Sequence, residues 1–187
     1  LYFNGSPLTY QTPKVLNAPL YSSEVSTPVH WYKEIDFDFG QGMRVHGFAA
    51  LREKASTAEA GFALFRRNRV IQGSADETYR PHTIFGAPNS YRYQRLFGEL
   101  HLEGFSVSHT KDGFQWDESE QAFLDLLKEH LNSPPMPLLE QAEGFRTLQR
   151  TRDLRSAAVL SNDRVTQTIQ DHVPDVLEHQ IEELPEQ

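Results

Sequence analysis

The first half of the chain alternates apolar and polar residues with the period of two that is typical of β-strands. The clearest run spans residues 30–39, where one parity is apolar except at Lys33. Further runs of this kind follow at residues 43–54, 61–65, 70–72 and 95–103. The apolar parity comprises Trp31, Ile35, Phe37, Phe39, Val45, Gly47, Ala49, Leu51, Leu96, Gly98, Leu100 and Leu102. This pattern predicts a half-buried, mixed but mainly antiparallel sheet of about five strands.

Turn-forming residues separate these runs. Residues 1–10 predict a β-hairpin around Asn4-Gly5, because both residues tolerate a positive φ. Asn68 occupies the position expected to have a positive φ in the turn at residues 66–69. Residues 12–28 hold three prolines and predict a crossing loop, whereas residues 73–93 predict a connection pinned by aromatic residues with one short helical turn.

The pattern changes to a helical period after residue 116. Residues 117–131 predict a helix, with Asp117 and Glu120 at the spacing of a capping box. Its apolar face comprises Phe123, Leu126, Leu127 and Leu131. Residues 137–155 predict a second helix, and residues 157–184 a weaker one that is interrupted at Pro174. We therefore predict an α+β fold with helices on one face of the sheet, a domain over residues 1–133 and a helical C-terminal extension over residues 134–187.

Composition narrows the class of protein. There is no cysteine, which favours a reducing, cytoplasmic setting, and no apolar run approaches the roughly 20 residues of a membrane span. Residues 1–100 carry 11 Lys and Arg against 9 Asp and Glu, whereas residues 101–187 carry 7 against 17. The acidic second half argues against general wrapping of nucleic acid but permits a local basic patch in the first half. Since the chain begins without methionine, we expect it to be a fragment of a longer protein.

Residues 105–131 combine a strand, a polar loop and a helix. The loop at residues 108–113 carries Lys111, whose ammonium is a compact charge suited to binding a phosphate. The alternative is an ordinary exposed loop lysine.

Two segments together resemble the MORC ATPases and, more closely, their bacterial ATP-binding relatives. These segments are residues 61–71, a strand–Arg/Asn/Arg turn–strand, and residues 105–131. The resemblance covers residues 1–150 and corresponds to the second, transducer domain of proteins in the gyrase, heat-shock chaperone, histidine kinase and MutL (GHKL) superfamily. It implies a two-layer sandwich similar to that of ribosomal small-subunit protein five.

The resemblance also implies a function. A lysine at the position of Lys111, flanked by His109 and Thr110, contacts the γ-phosphate of ATP that an N-terminal ATPase domain of the same polypeptide binds with Mg²⁺, and the change is relayed to C-terminal helices. Such machines are ATP-driven clamps that dimerise. The superfamily's Glu-x-x-x-Asn and Asp-x-Gly-x-Gly nucleotide motifs are absent from this chain. We therefore expect no ATP, no cofactor and no enzymatic activity in this chain alone.

Other residue clusters leave alternatives open. Arg66, Arg67 and Arg69, joined by Arg80, Arg92 and Arg95, are candidates for a basic face that contacts DNA phosphates; the alternative is a solvated hairpin tip. The aromatic residues Tyr79, Phe85, Tyr91, Tyr93 and Phe97 either stack bases or pin the long connection. Glu99, His101 and Glu103 share a strand face, but we predict no metal site because a closed ligand set is lacking. An interaction module for nucleic acid or protein, without a nucleotide role, is the second hypothesis.

Overall fold

A computed structural model describes residues 2–4, 6–7, 13–22, 27–73, 77–108, 113–116, 119–145, 151, 153–164 and 167. The chain divides into two compact units, Leu1–Arg146 and Thr147–Gln187. The predicted domain boundary between residues 133 and 134 stays a prediction.

The first unit contains nine strands and three helices with assigned bounds among the described residues. The strands are β1 (Tyr2–Phe3), β2 (Ser6–Pro7), β3 (Asn17–Ala18), β4 (Val29–His30), β5 (Tyr32–Gly40), β6 (Met43–Leu51), β7 (Gly61–Arg66), β8 (Arg69–Gln72) and β9 (Leu96–Glu103). The helices are α1 (His82–Phe85), α2 (Tyr91–Arg95) and α3 (Glu120–Asn132). Residues 138–145 are also helical.

Five strands form the main sheet, in the order β5-β6-β9-β7-β8. The pairs β5/β6, β6/β9 and β7/β8 are antiparallel, whereas β7 and β9 are parallel. The predicted α+β class with a mixed, mainly antiparallel five-stranded sheet is confirmed. The sequence pattern did not indicate the order of the strands, in which β9 lies between β6 and β7.

Alternation predicted the buried face of each long strand correctly. Val45, Ala49 and Leu51 of β6 are fully buried, as are Leu96 and Leu100 of β9. Helix α3 covers this inward face, where the Phe37 and Phe123 rings lie 6.5 Å apart. Burying each such large side chain stabilises the fold by about 1.5–3 kcal/mol.

Lys33, the one polar residue on the inward parity of β5, caps the end of α3. Its Nζ donates to Ser133 O at 2.7 Å, to Ser133 Oγ at 2.8 Å and to Met136 O at 3.2 Å. A cation at a helix C-terminus satisfies free carbonyls and complements the helix dipole. Burial lowers the pKa of this ammonium below its ordinary value.

Helix α3 begins three residues later than predicted. Ser119 is its N-cap residue, and the Ser119 Oγ donates to Trp116 O instead of accepting from the helix. Asp117 lies outside the described residues, and the Glu120 carboxylate accepts a hydrogen bond from the Tyr79 hydroxyl at 3.1 Å. Since Glu120 has another partner, the spacing of the two acidic residues does not determine where the helix begins.

The segments around the sheet follow their predictions in part. β1 and β2 pair across Asn4, which has φ 48°, so the hairpin is present and its second strand begins at Ser6; residues 8–10 lie outside the described residues. The connection at residues 73–95 contains two short helices instead of one turn.

Residues 138–145 pack on the core of the first unit through Leu138, Leu139 and Ala142. The fully buried Gln141 binds the 19–21 loop: its Nε2 donates to Pro19 O at 3.0 Å, and Tyr21 N donates to its Oε1 at 2.8 Å. In the second unit, residues 153–164 are helical and exposed. Within the described part of the chain, no helix has the length and apolar character that a bilayer crossing requires.

Candidate anion-binding edge

Two loops leave the sheet at the same edge because β7 and β9 are parallel neighbours. Phe65 near the end of β7 lies opposite His101 near the end of β9. The β7–β8 turn and the segment that follows β9 therefore emerge side by side. We call this place the anion-binding edge and define it by Arg66, Arg67, Arg69, Gln72 and Val107.

The β7–β8 turn is a two-residue loop in the left-handed region. Arg66 pairs with Arg69, while Arg67 has φ 48° and Asn68 has φ 60°. Positive φ at both central residues is the feature of a type I′ hairpin. Asn68 occupies the predicted position, whereas an arginine at the other is unusual, because a side chain in this conformation costs roughly 1–2 kcal/mol.

The segment after β9 forms the base of a second hairpin. Val107 pairs antiparallel with Phe114, and Ser108 N donates to Gly113 O at 3.0 Å. The tip at residues 109–112 lies outside the described residues, and with it the predicted site residues His109, Thr110 and Lys111.

Aromatic packing fixes this base to α3. The Trp116 ring stacks on Phe123 at 4.8 Å, and the Phe105 ring meets Phe123 edge to face at 6.3 Å. Such pairs contribute about 0.5–1.5 kcal/mol each beyond the area they bury. The described base of the loop is therefore packed against the first turn of α3.

Tyr79 ties the same helix to β7. Its backbone exchanges two hydrogen bonds of 3.0 Å with Phe62 of β7, and its hydroxyl donates to Glu120 in the first turn of α3. Burial, followed by the charge and hydrogen bond of Glu120, raises the pKa of the Tyr79 hydroxyl well above its ordinary value. We call residues 66–69 the arginine turn and residues 108–113 the lysine loop. Tyr79 thus contacts both β7, which leads into the arginine turn, and α3, which follows the lysine loop in the sequence.

The two hairpins enclose a cleft of about 340 Å³ lined by Arg66, Arg67, Arg69, Val70, Ile71 and Val107. None of the three guanidinium groups forms an ion pair with a described carboxylate. The buried Gln72 Oε1 likewise has no described donor, and a methyl group placed on Gly113 would lie 3.8 Å from it. The unpaired guanidinium groups give the cleft a positive charge, which suits an oxyanion such as phosphate.

Comparisons of the chain with protein-family models, curated proteins and solved structures returned no match.

The prediction of an extended basic face is wrong for three of its six arginines, because Arg80, Arg92 and Arg95 have partners within the fold. Arg80 donates to Ala60 O at 2.6 Å and lies over the Tyr93 ring, and Arg92 pairs with Glu143 at 2.9 Å. Arg95 is only 6% exposed and donates to the carbonyls of Arg52 and Glu53. These side chains hold the 73–95 connection in place. Two of its aromatic residues are buried and hold it as well: Phe85 meets Phe62 of β7 edge to face at 5.1 Å, and Tyr79 is only 7% exposed.

Glu99, His101 and Glu103 lie on the outward face of β9, as predicted from their parity. The His101 ring is stacked between His46 and Phe65, at 4.9 Å from each. Glu103 faces His46 Nε2 at 3.2 Å. Among the described residues, no group of three acidic or histidine side chains is arranged to hold a metal ion.

Sequence reasoning missed Gln72 and Val107, because their place at the edge depends on which strands are neighbours. It also missed an aromatic group on the outward face that includes Tyr32 and Phe48. The signal for that group was present, since both are large aromatic residues on the polar parity of their strands.

Proposed function

We propose that this chain is the transducer region of a GHKL-type, MORC-like ATP-driven clamp. In this proposal Lys111 contacts the γ-phosphate of ATP bound with Mg²⁺ in an N-terminal ATPase domain of the same polypeptide, and His109 and Thr110 shape its loop. The observation that carries the proposal is the shared edge, at which the base of the lysine loop and three unpaired arginines line one cleft.

Charge supports an anionic ligand at this edge. Gly113, which follows Lys111 by two residues in the sequence, lies beside the Gln72 side chain of this edge. A phosphate contacted there gains charge-assisted hydrogen bonds, which are roughly twice as strong as neutral ones.

The aromatic packing between the base of the lysine loop and α3 supports a relay of conformational change. A change at the lysine loop acts on Phe114, whose ring packs on Trp116. The Trp116 and Phe105 rings in turn pack on Phe123 of α3. Loss of the γ-phosphate then releases the loop and alters the first turn of α3, in the manner of other phosphate-ordered switch loops. The C-terminal helices receive the change from α3.

The test uses the polypeptide that joins this chain to its ATPase domain. We expect Lys111→Ala to lower the rate of ATP hydrolysis by about tenfold or more, because it removes a charge that stabilises the transition state. Lys128→Ala is the matched control, since Lys128 is an exposed lysine of α3. Unchanged turnover in Lys111→Ala with the fold intact refutes the proposal. An Asp-x-Gly-x-Gly motif encoded upstream of Leu1 is a further requirement.

A second candidate is a nucleic-acid interaction module without a nucleotide role. The observation that favours it is that Arg66, Arg67 and Arg69 lack carboxylate partners among the described residues while three other arginines are engaged. Each phosphate contact steepens the dependence of log K on log salt by about 0.9 for duplex DNA.

The isolated chain tests this candidate. Arg69→Ala should weaken DNA binding and flatten the salt dependence, whereas Arg44→Ala, which removes an exposed arginine already paired with Asp36, should change both much less. Absence of DNA binding at low salt would leave the transducer function as the explanation of the arginine turn.

A further inference from the structure

The outward face of the sheet, opposite α3, carries a groove of about 600 Å³. Its wall is a row of rings from three neighbouring strands: Tyr32 stacks on Phe48 at 5.0 Å, and Phe48 meets Phe97 edge to face at 6.1 Å. His30 stacks on Tyr32 at 6.3 Å. We call this the aromatic groove. Its volume lies within the usual range of ligand-binding pockets, and Tyr32 is 38% exposed.

Two carboxylates flank the middle ring of the groove. Glu34 of β5 and Glu99 of β9 are the cross-strand neighbours of Phe48 on either side. Neither forms an ion pair with a described residue. Burial, followed by the charges of Glu34 and Glu99, raises the pKa of the Tyr32 hydroxyl, which agrees with both carboxylates acting on that ring.

The surrounding charges favour a cationic occupant. Asp36, Asp38 and Glu103 continue the same face, and Arg44 neutralises only Asp36 among them. A nucleic acid stacked on these rings would bring its phosphates against this row of carboxylates, so the face disfavours it.

The chain contains one example of the expected contact. At the end of the groove the Arg52 guanidinium lies 5.7 Å from the centroid of Phe97 and pairs with Glu59. A ring and a carboxylate thus already hold a guanidinium at this face. Tyr32 and Phe48, with Glu34 and Glu99, repeat this combination without an arginine of their own.

We propose that the aromatic groove binds an arginine-bearing segment of a partner protein, with a guanidinium laid on the Tyr32 and Phe48 rings between Glu34 and Glu99. Arginine suits the site better than lysine, because its planar group stacks on aromatic rings and pairs with a carboxylate at the same time. This inference does not depend on the anion-binding edge, which lies at the other end of β7.

The test uses the full 187-residue chain and fluorescent synthetic peptides of alternating arginine and serine, lysine and serine, or glutamate and serine. Fluorescence anisotropy at physiological salt measures Kd. We expect the arginine peptide to bind several-fold more tightly than the lysine peptide and the glutamate peptide not to bind. Glu99→Gln and Tyr32→Ala should each raise Kd for the arginine peptide by about fivefold.

Glu129→Gln is the matched control, because it removes the same charge from an exposed position on α3. It should change Kd by less than about twofold, since exposed charges at a distance are screened. Equal losses in Glu99→Gln and Glu129→Gln mean that the peptide responds only to the net charge of −8, and they overturn the proposal. Equal affinity for arginine and lysine peptides together with wild-type binding by Tyr32→Ala overturns it as well.

Discussion

Substitution of Arg67 in the arginine turn can separate an effect on ligand binding from an effect on stability. Arg67 lies in the left-handed region at φ 48° and is exposed. No described residue forms an ion pair with it. The fold therefore gains nothing visible from this side chain, and the backbone is strained by it. A cation kept at a strained turn is the expected result when the charge serves a ligand.

Arg67→Gly relieves that strain. A non-glycine residue in this conformation costs roughly 1–2 kcal/mol, whereas the greater freedom of glycine in the unfolded chain costs about 0.5–1 kcal/mol. We expect the free energy of unfolding to stay unchanged or to rise by up to about 1.5 kcal/mol. Removal of the charge should nevertheless weaken anion binding at the edge, and for duplex DNA it should lower the log–log salt slope by about 0.9.

Urea unfolding and binding titrations of the same protein preparations measure the two effects. Arg67→Ala removes the charge but keeps a strained side chain, so it should lose binding without the gain in stability. Asn68→Ala should lose about 1 kcal/mol of stability, since alanine lacks the tolerance of asparagine for a positive φ. If Arg67→Gly is destabilised by more than about 1 kcal/mol, the turn is not left-handed; if it binds anions as wild type does, Arg67 is not part of the site.

Three further substitutions test the framework that holds the edge. Gln141→Leu leaves Tyr21 N and Pro19 O without partners and should cost about 2–4 kcal/mol in urea unfolding, whereas a similar loss in the exposed Gln121→Leu would contradict that reason. Because the pKa of the Tyr79 hydroxyl is raised in the folded state, the contribution of Tyr79 to stability is complete below the unfolded-state pKa of 10.0. The free energy of unfolding falls as the pH rises above that value, by about 1.4 kcal/mol at pH 11. Tyr79→Phe should remove that part of the loss, and an unchanged slope between pH 9 and 11 would contradict the raised pKa. Gly47→Ala would place its Cβ 2.0 Å from Glu99 O and should lower the free energy of unfolding by more than about 3 kcal/mol. Gly40→Ala, which faces open space at φ +86°, should lower it by only about 1 kcal/mol, and equal losses in the two variants would contradict the clash.

Much of the sheet was predictable because alternation reports which face of a strand is buried. It identified Val45, Ala49 and Leu51 without any knowledge of their partners. It does not report which strands are neighbours, because any pairing that keeps the buried face satisfies the same pattern. The position of β9 between β6 and β7 was missed for that reason. Lys33 looked like an interruption of β5, since its role depends on the end of a helix a hundred residues later.

The candidate site shows the same division. Arg66, Arg67 and Arg69 stood out in the sequence as a charged turn, and the conformation of Asn68 was predicted correctly. Their proximity to the segment of Val107 was not predictable, because it follows from the parallel pairing of β7 and β9.

That parallel pair also explains why only some of the arginines remain available to a ligand. Two parallel strands cannot be joined by a tight turn, so the chain must cross back between β7 and β9. Residues 73–95 make most of this crossing, and Arg80 and Arg95 hold it by donating to the carbonyls of Ala60 and Arg52. Arg80 and Arg95 therefore use hydrogen bonds to stabilise the connection that brings the two loops together. The arginines of the β7–β8 turn are free of that task, which is why the anion-binding edge depends on them.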